Sequence, residues 1–88
     1  MYLHLGQNEI VPGHRIIGIF DLDKCSTSKR TRDYLSAAEN AGVVLDISGD
    51  IPKSFVVCDH PYHDQIVYLS QLNTSTLKNR AESQKLEL

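Results

Sequence analysis

Six short apolar runs divide this chain and set the limits on its fold. They are Tyr2 to Leu5, Ile10-Val11, Ile16 to Phe20, Val43 to Ile47, Phe55 to Cys58 and Ile66 to Leu69. Between them stand Gly6-Gln7-Asn8, Pro12-Gly13, Ser48-Gly49-Asp50 and Asp59-His60-Pro61, residue types that favour turns. Short runs rich in Val, Ile and aromatic residues, bounded in this way, read as strands. The last three, from Val43 to Leu69, read as a three-stranded meander. Gly18, inside the Ile-rich run that spans His14 to Leu22, marks a bulge or a close backbone approach. None of the runs approaches the ~20 apolar residues of a membrane-spanning helix.

Helical periodicity occurs twice. Thr31, Tyr34, Leu35, Ala38 and Ala41 form one stripe. The polar loop from Lys24 to Ser28 offers Ser26, Thr27 and Ser28 as N-caps, and Gly42 stands at C′, so a helix is predicted over about 28–41. Asn73-Thr74-Ser75 caps a second helix over about 74–83, with Leu77 and Ala81 on one face. Residues 84–88 read as a frayed tail. The expectation is an α+β fold: one domain over 1–83 with a mostly antiparallel sheet and two helices.

At 88 residues such a domain buries only roughly 60–65% of the surface its unfolded chain exposes, and contacts between subunits are the expected extra source of stability. Cys25 and Cys58 form no CxxC motif, and no basic segment followed by an apolar core opens the chain. A cytoplasmic, reduced protein is expected.

The formal net charge of −2 argues against a generic, strongly basic nucleic-acid binder. It is an average over unlike blocks. Residues 24–32 carry Lys24, Lys29, Arg30 and Arg32 with no acid, whereas residues 33–64 carry six acids against Lys53. Lys29, Arg30 and Arg32 fall in the first turn of the predicted helix, where cations cost roughly 0.3–1 kcal/mol each against the helix dipole. Three readings stay open. The cations, helix amides and Ser26/Thr27/Ser28 hydroxyls hold a phosphate; or the helix end is simply solvated; or it docks on the acidic surface of another subunit. Arg15 opens an apolar strand, where its guanidinium projects at a sheet edge, structural in role or a phosphate fork.

Two further patterns suggest chemistry. Ile16 to Asp23 ends an apolar strand in Asp21-Leu22-Asp23, which looks like the first motif of haloacid-dehalogenase-type phosphatases. That architecture needs a doubly wound sheet larger than 88 residues allow, and turn or strand-end roles for Asp21 and Asp23 are expected instead. Cys58, His60, His63 and Asp64 include zinc-ligand types, but C-x-H-x-x-H-D is not a strong zinc spacing, and a polar hairpin loop is the plainer reading. No P-loop, GxGxxG, GxSxG or HExxH occurs, so neither an enzyme nor a cofactor is expected.

Four strings carry a family resemblance: Met1 to Gly6, Arg15 to Asp21, Pro52 to Val57 and Ser75 to Arg80. In this order, over about residues 1–81, they resemble the Rem family of small bacterial regulators of extracellular-matrix (biofilm) genes, its RemB-like branch more than its RemA-like one. The resemblance implies a cytoplasmic transcriptional regulator that binds double-stranded DNA as a ring-shaped homo-oligomer. Arg15 matches a DNA-contacting arginine of RemA-like proteins. Where those proteins carry a pair of arginines before the later strand, this chain reads Asp50-Ile51-Pro52-Lys53 and keeps Lys53 alone. The expected DNA-binding residues are therefore Arg15 and Lys53, with Lys29, Arg30 and Arg32 as a further cluster. The alternative is an oligomeric interaction or scaffold subunit that does not touch DNA.

Overall fold

The computed structural model describes residues 2–25 and 28–86. In chain order, β1 (Tyr2–Gly6) and β2 (Glu9–Pro12) lead through a 3-10 turn (Gly13–Arg15) into β3 (Ile16–Asp21). A short helix α1 (Leu22–Cys25) and the longer α2 (Lys29–Asn40) precede β4 (Val44–Asp46), β5 (Ser54–Cys58), β6 (Ile66–Ser70) and α3 (Thr74–Leu86). β1 and β2 form a two-stranded antiparallel sheet. The other four strands form a second sheet in the order β3-β5-β6-β4. The α+β class follows directly.

β5 is buried along its whole length, and its alternation supplies two cores. Val56 and Cys58 face one side, where Leu3, Leu5 and Val11 of the hairpin and Leu77 of α3 pack against them. Phe55 and Val57 face the other, against Ala38 and Leu35 of α2. β6 divides the same way, with Ile66 and Tyr68 on the first side and Val67 and Leu69 on the second. The domain is thus one central sheet covered on both faces, with every layer resting on β5 and β6.

β3 joins the same scheme only because of the bulge expected at Gly18. Ile16 pairs with Cys58 and Gly18 with Val57, leaving Ile17 as the extra residue. The slip lets Ile16 and Ile19, three apart, both face the hairpin-side core. A Cβ at Gly18 would lie 2.6 Å from the Phe20 ring, which stacks on Phe55 at 4.9 Å.

Three expectations need correction. The stretch from Val43 to Leu69 is not a meander: β4 pairs parallel with β6, on the far side from β5. The long Ile47–Lys53 connection makes this possible, since Ile47 N–H still donates to Leu69 O at 3.0 Å while Lys53 N–H donates to Ser70 O at 2.8 Å. Leu22–Cys25 is helical, not strand end and loop; the Leu22 amide that begins α1 donates to the Lys53 carbonyl at 3.0 Å. Residues 14 and 15 belong to the 3-10 turn and not to the strand.

The long helices fall close to expectation. α2 ends at Gly42, whose φ of +74° is the left-handed conformation a C′ glycine supplies. Ser28 sits at its N-cap but makes no side-chain bond there; Ser26 and Thr27 lie outside the described residues. Asn73 Oδ1 accepts the Thr76 amide at 2.8 Å and caps α3, which runs to Leu86, three residues past the expected end.

Candidate nucleic-acid interface

Arg15 closes the 3-10 turn, and the turn is fixed at both ends. Pro12 precedes it, and the Ile16 amide bonds back to Gly13 O. The Arg15 carbonyl accepts the Asp59 amide at 2.7 Å, which ties the residue to the outgoing end of β5. Its half-buried side chain lines a cleft of about 250 Å³ together with Asp59, His60 and Tyr68. No described side chain forms an ion pair with it. A guanidinium on a rigid turn, with no ion pair among the described residues, suits an oxyanion such as phosphate.

His60, which the sequence marks only as a loop or metal-ligand residue, shares that cleft. Its Nδ1 accepts the Tyr62 amide at 3.1 Å, leaving Nε2 as the donor of the neutral ring. Tyr68 closes the cleft from the sheet side. Burial first, and then the Glu9 carboxylate, push its phenol above the ordinary range, so it remains a neutral hydroxyl bonded to Glu9.

Lys53 stands at the opposite end of β5. Its amide and carbonyl are both committed, to Ser70 O and Leu22 N, and its side chain is exposed. The five residues of β5 separate it from Asp59 at the level of Arg15, and the six steps span about 20 Å. The structure therefore places the two expected DNA contacts at opposite ends of one strand.

The cluster at the start of α2 is divided. Lys29 Nζ meets Asp33 at 3.1 Å, both side chains well exposed, a pair contributing about 0–1 kcal/mol. Arg32 is exposed and three residues from Lys29. Arg30 instead lines an apolar groove of about 300 Å³ with Ile17, Phe20 and Tyr34.

Arg80, which the sequence marks only as the end of the Ser75 to Arg80 string, has a structural task. Its Nη1 donates to His4 O at 3.1 Å and meets His4 Nδ1 at 3.3 Å, clasping α3 to β1. Side-chain bonds across seventy-six residues leave no local signal in sequence.

The other chemical candidates separate. Asp21 ends β3 and Asp23 lies exposed in α1. Cys58 points into the core, and burial pushes its thiol up to about 11. The His60 and His63 rings lie 5.1 Å apart, yet among the described residues no three His, Cys, Asp or Glu side chains are grouped to hold a metal ion. No described helix is long and apolar enough to cross a membrane.

With this geometry in place, comparison with known proteins defines the class. The model of the RemA-like family, described as extracellular matrix regulatory protein A-like, matches residues 2–81. Extracellular matrix regulatory protein B of Bacillus subtilis (strain 168) is 39% identical over 82 residues, covering 93% of this chain and 91% of that relative. The chain belongs to the Rem family of extracellular matrix regulatory proteins and is RemB-like within it.

Proposed function

We propose that this chain is a cytoplasmic, DNA-binding transcriptional regulator of extracellular-matrix genes, working as a ring-like homo-oligomer whose repeated cations hold the phosphate backbone. The observation that carries the reading is Arg15: a guanidinium without an ion-pair partner among the described residues, on a turn pinned to β5. Lys53, and at a second level Lys29 and Arg32, extend the contact. In this reading the contact is to phosphates rather than base edges, so readout falls to the backbone and the shape of the duplex. The family's regulatory name supports a non-enzymatic role.

Assembly supplies the energetics. A single Arg15 neutralises little of a duplex, but each phosphate contact repeated by a further subunit adds about 0.9 to the salt slope. Fluorescence anisotropy with a labelled promoter duplex across a salt series tests this. Arg15→Ala is expected to weaken binding by about tenfold or more at ~50 mM salt and to flatten the slope, with the assembly mass unchanged. Wild-type affinity in that variant removes Arg15 from the interface.

The second reading, an oligomeric scaffold that does not touch DNA, draws on the Asp50–Lys53 loop. There Ile51 is 77% exposed beside the acidic Asp50, a surface suited to protein and not to phosphate. An intact oligomer that shifts no duplex at ~50 mM salt would establish it.

A further inference from the structure

The cleft beside Arg15 is balanced in charge while its histidine is neutral. Among the described residues that line it, Arg15 is a cation and Asp59 an anion. Burial pushes the Cys58 thiol up to about 11, and burial and then the Glu9 carboxylate keep the Tyr68 phenol protonated. His60 is the remaining titratable group of the lining. Histidine is the side chain that ordinarily changes charge in the physiological range. One proton on this ring therefore turns a neutral cleft into a cationic one.

The setting of the ring gives that proton a structural effect as well. Neutral His60 accepts the Tyr62 amide at Nδ1, 3.1 Å away, and carries its hydrogen on Nε2. The next proton has only Nδ1 to go to. There it meets the Tyr62 N–H, donor against donor, so the bond is lost and the ring is released with two N–H groups to give. The backbone beneath it stays in place. The Asp59 amide is tied to the Arg15 carbonyl at 2.7 Å, and Asp59 Oδ1 accepts the His60 amide at 3.0 Å. His63, whose ring lies 5.1 Å from that of His60, competes for the proton, because two charged rings at this separation repel. Asp64, on the same loop, is an exposed carboxylate. An oxyanion beside Arg15 favours the proton on His60.

We infer that His60 is a second phosphate-binding residue of the Arg15 cleft, giving a charge-assisted N–H bond once its ring is protonated. The inference rests on the reading of Arg15 as a phosphate contact and adds a pH dependence to it. The sign follows from linkage. Binding tightens as pH falls through the histidine range, and bound phosphate in turn makes the ring harder to deprotonate.

Anisotropy with the labelled duplex at ~50 mM salt should show wild type binding about tenfold tighter at pH 6 than at pH 8, the effect of one bond to a charged group. His60→Gln should lose this difference. His60→Lys, a fixed cation, should bind at pH 8 as wild type does at pH 6. His63→Gln and His14→Gln should keep the response. A response that survives in His60→Gln, or that vanishes in either of the other two glutamine variants, would overturn the inference.

The source of the phosphate is separated by following the His60 ring signals by NMR through a pH titration at constant ionic strength. Saturating duplex, or inorganic phosphate in its place, should move their midpoint up by about one pH unit, the same tenfold seen from the side of the proton. Arg15→Ala should abolish the movement. A shift with duplex alone assigns the site to the nucleic-acid backbone. A shift with inorganic phosphate and no duplex binding at either pH sinks the DNA reading and leaves the inference standing. No shift with either source overturns it.

Discussion

Ser70 joins the two sheets through one hydroxyl. Its Oγ donates to the Leu5 carbonyl at 2.6 Å and accepts the Leu72 amide at 3.1 Å, and the residue is fully buried. Ser54, also fully buried, donates to Leu72 O at 2.7 Å. Removing such a hydroxyl strands its partners away from water. Ser70→Ala is expected to cost about 1–3 kcal/mol in urea unfolding, whereas truncating an exposed serine such as Ser36 should leave the midpoint unchanged. Asp46 sets a pH dependence. The Ser48 hydroxyl and then the Ser48 amide hold its carboxyl below the ordinary value of 3.8. A carboxyl depressed in the folded state stabilises the fold fully above the unfolded value, and that contribution is lost as pH falls through the folded value. Unfolding midpoints measured from pH 6 down to pH 2 should therefore fall less steeply in Asp46→Asn than in wild type. Cys58, with its thiol near 11 and buried, should resist iodoacetamide at pH 8 in a Cys25→Ser background and react only on denaturation.

At the scale of the element, α2 carries charges that work against its own stability. Lys29, Arg30 and Arg32 occupy its first turn with no acid among them, so their charges oppose the dipole. Arg32→Glu should raise stability by about 0.3–1 kcal/mol while weakening duplex binding, a pair of opposite changes that a merely solvated helix end would not produce. Gly42→Ala should cost about 1 kcal/mol, because nothing crowds the position and only the positive φ opposes the new side chain. Elements of this kind were legible in the sequence. The stripe from Thr31 to Ala41 and the glycine after it delimit α2 within a residue at each end, and Gly18 announces its bulge. Partners were not legible. Alternation says that Val44 to Asp46 is a strand, but the choice of β6 over β5 is made by the Ile47–Lys53 connection and its bonds to Leu69 and Ser70. α1 escaped for a similar reason, since a distant carbonyl accepts its first amide. At the candidate interface, Arg15 showed itself by opening an apolar run, but the turning of Arg30 into an apolar groove depends on where α2 lies over the sheet.

For the whole molecule, the two faces of the central sheet are served by different parts of the chain. The hairpin and α3 cover one, and α2 covers the other. All of them depend on β5 and β6, and β4 joins last in space, as a three-residue edge. A parallel edge strand separated from its partner by another strand in sequence gains its hydrogen bonds only after that partner is in place. β4 should therefore form late in folding. Val44→Ala is expected to speed unfolding in stopped-flow chevrons by about the full stability loss and to leave the folding rate nearly unchanged. The consequence reaches the native state. A strand that arrives last is the first to leave, so brief openings should bare the outer edge of β6 while both cores stay closed, and amide exchange should run faster in β4 than in β5.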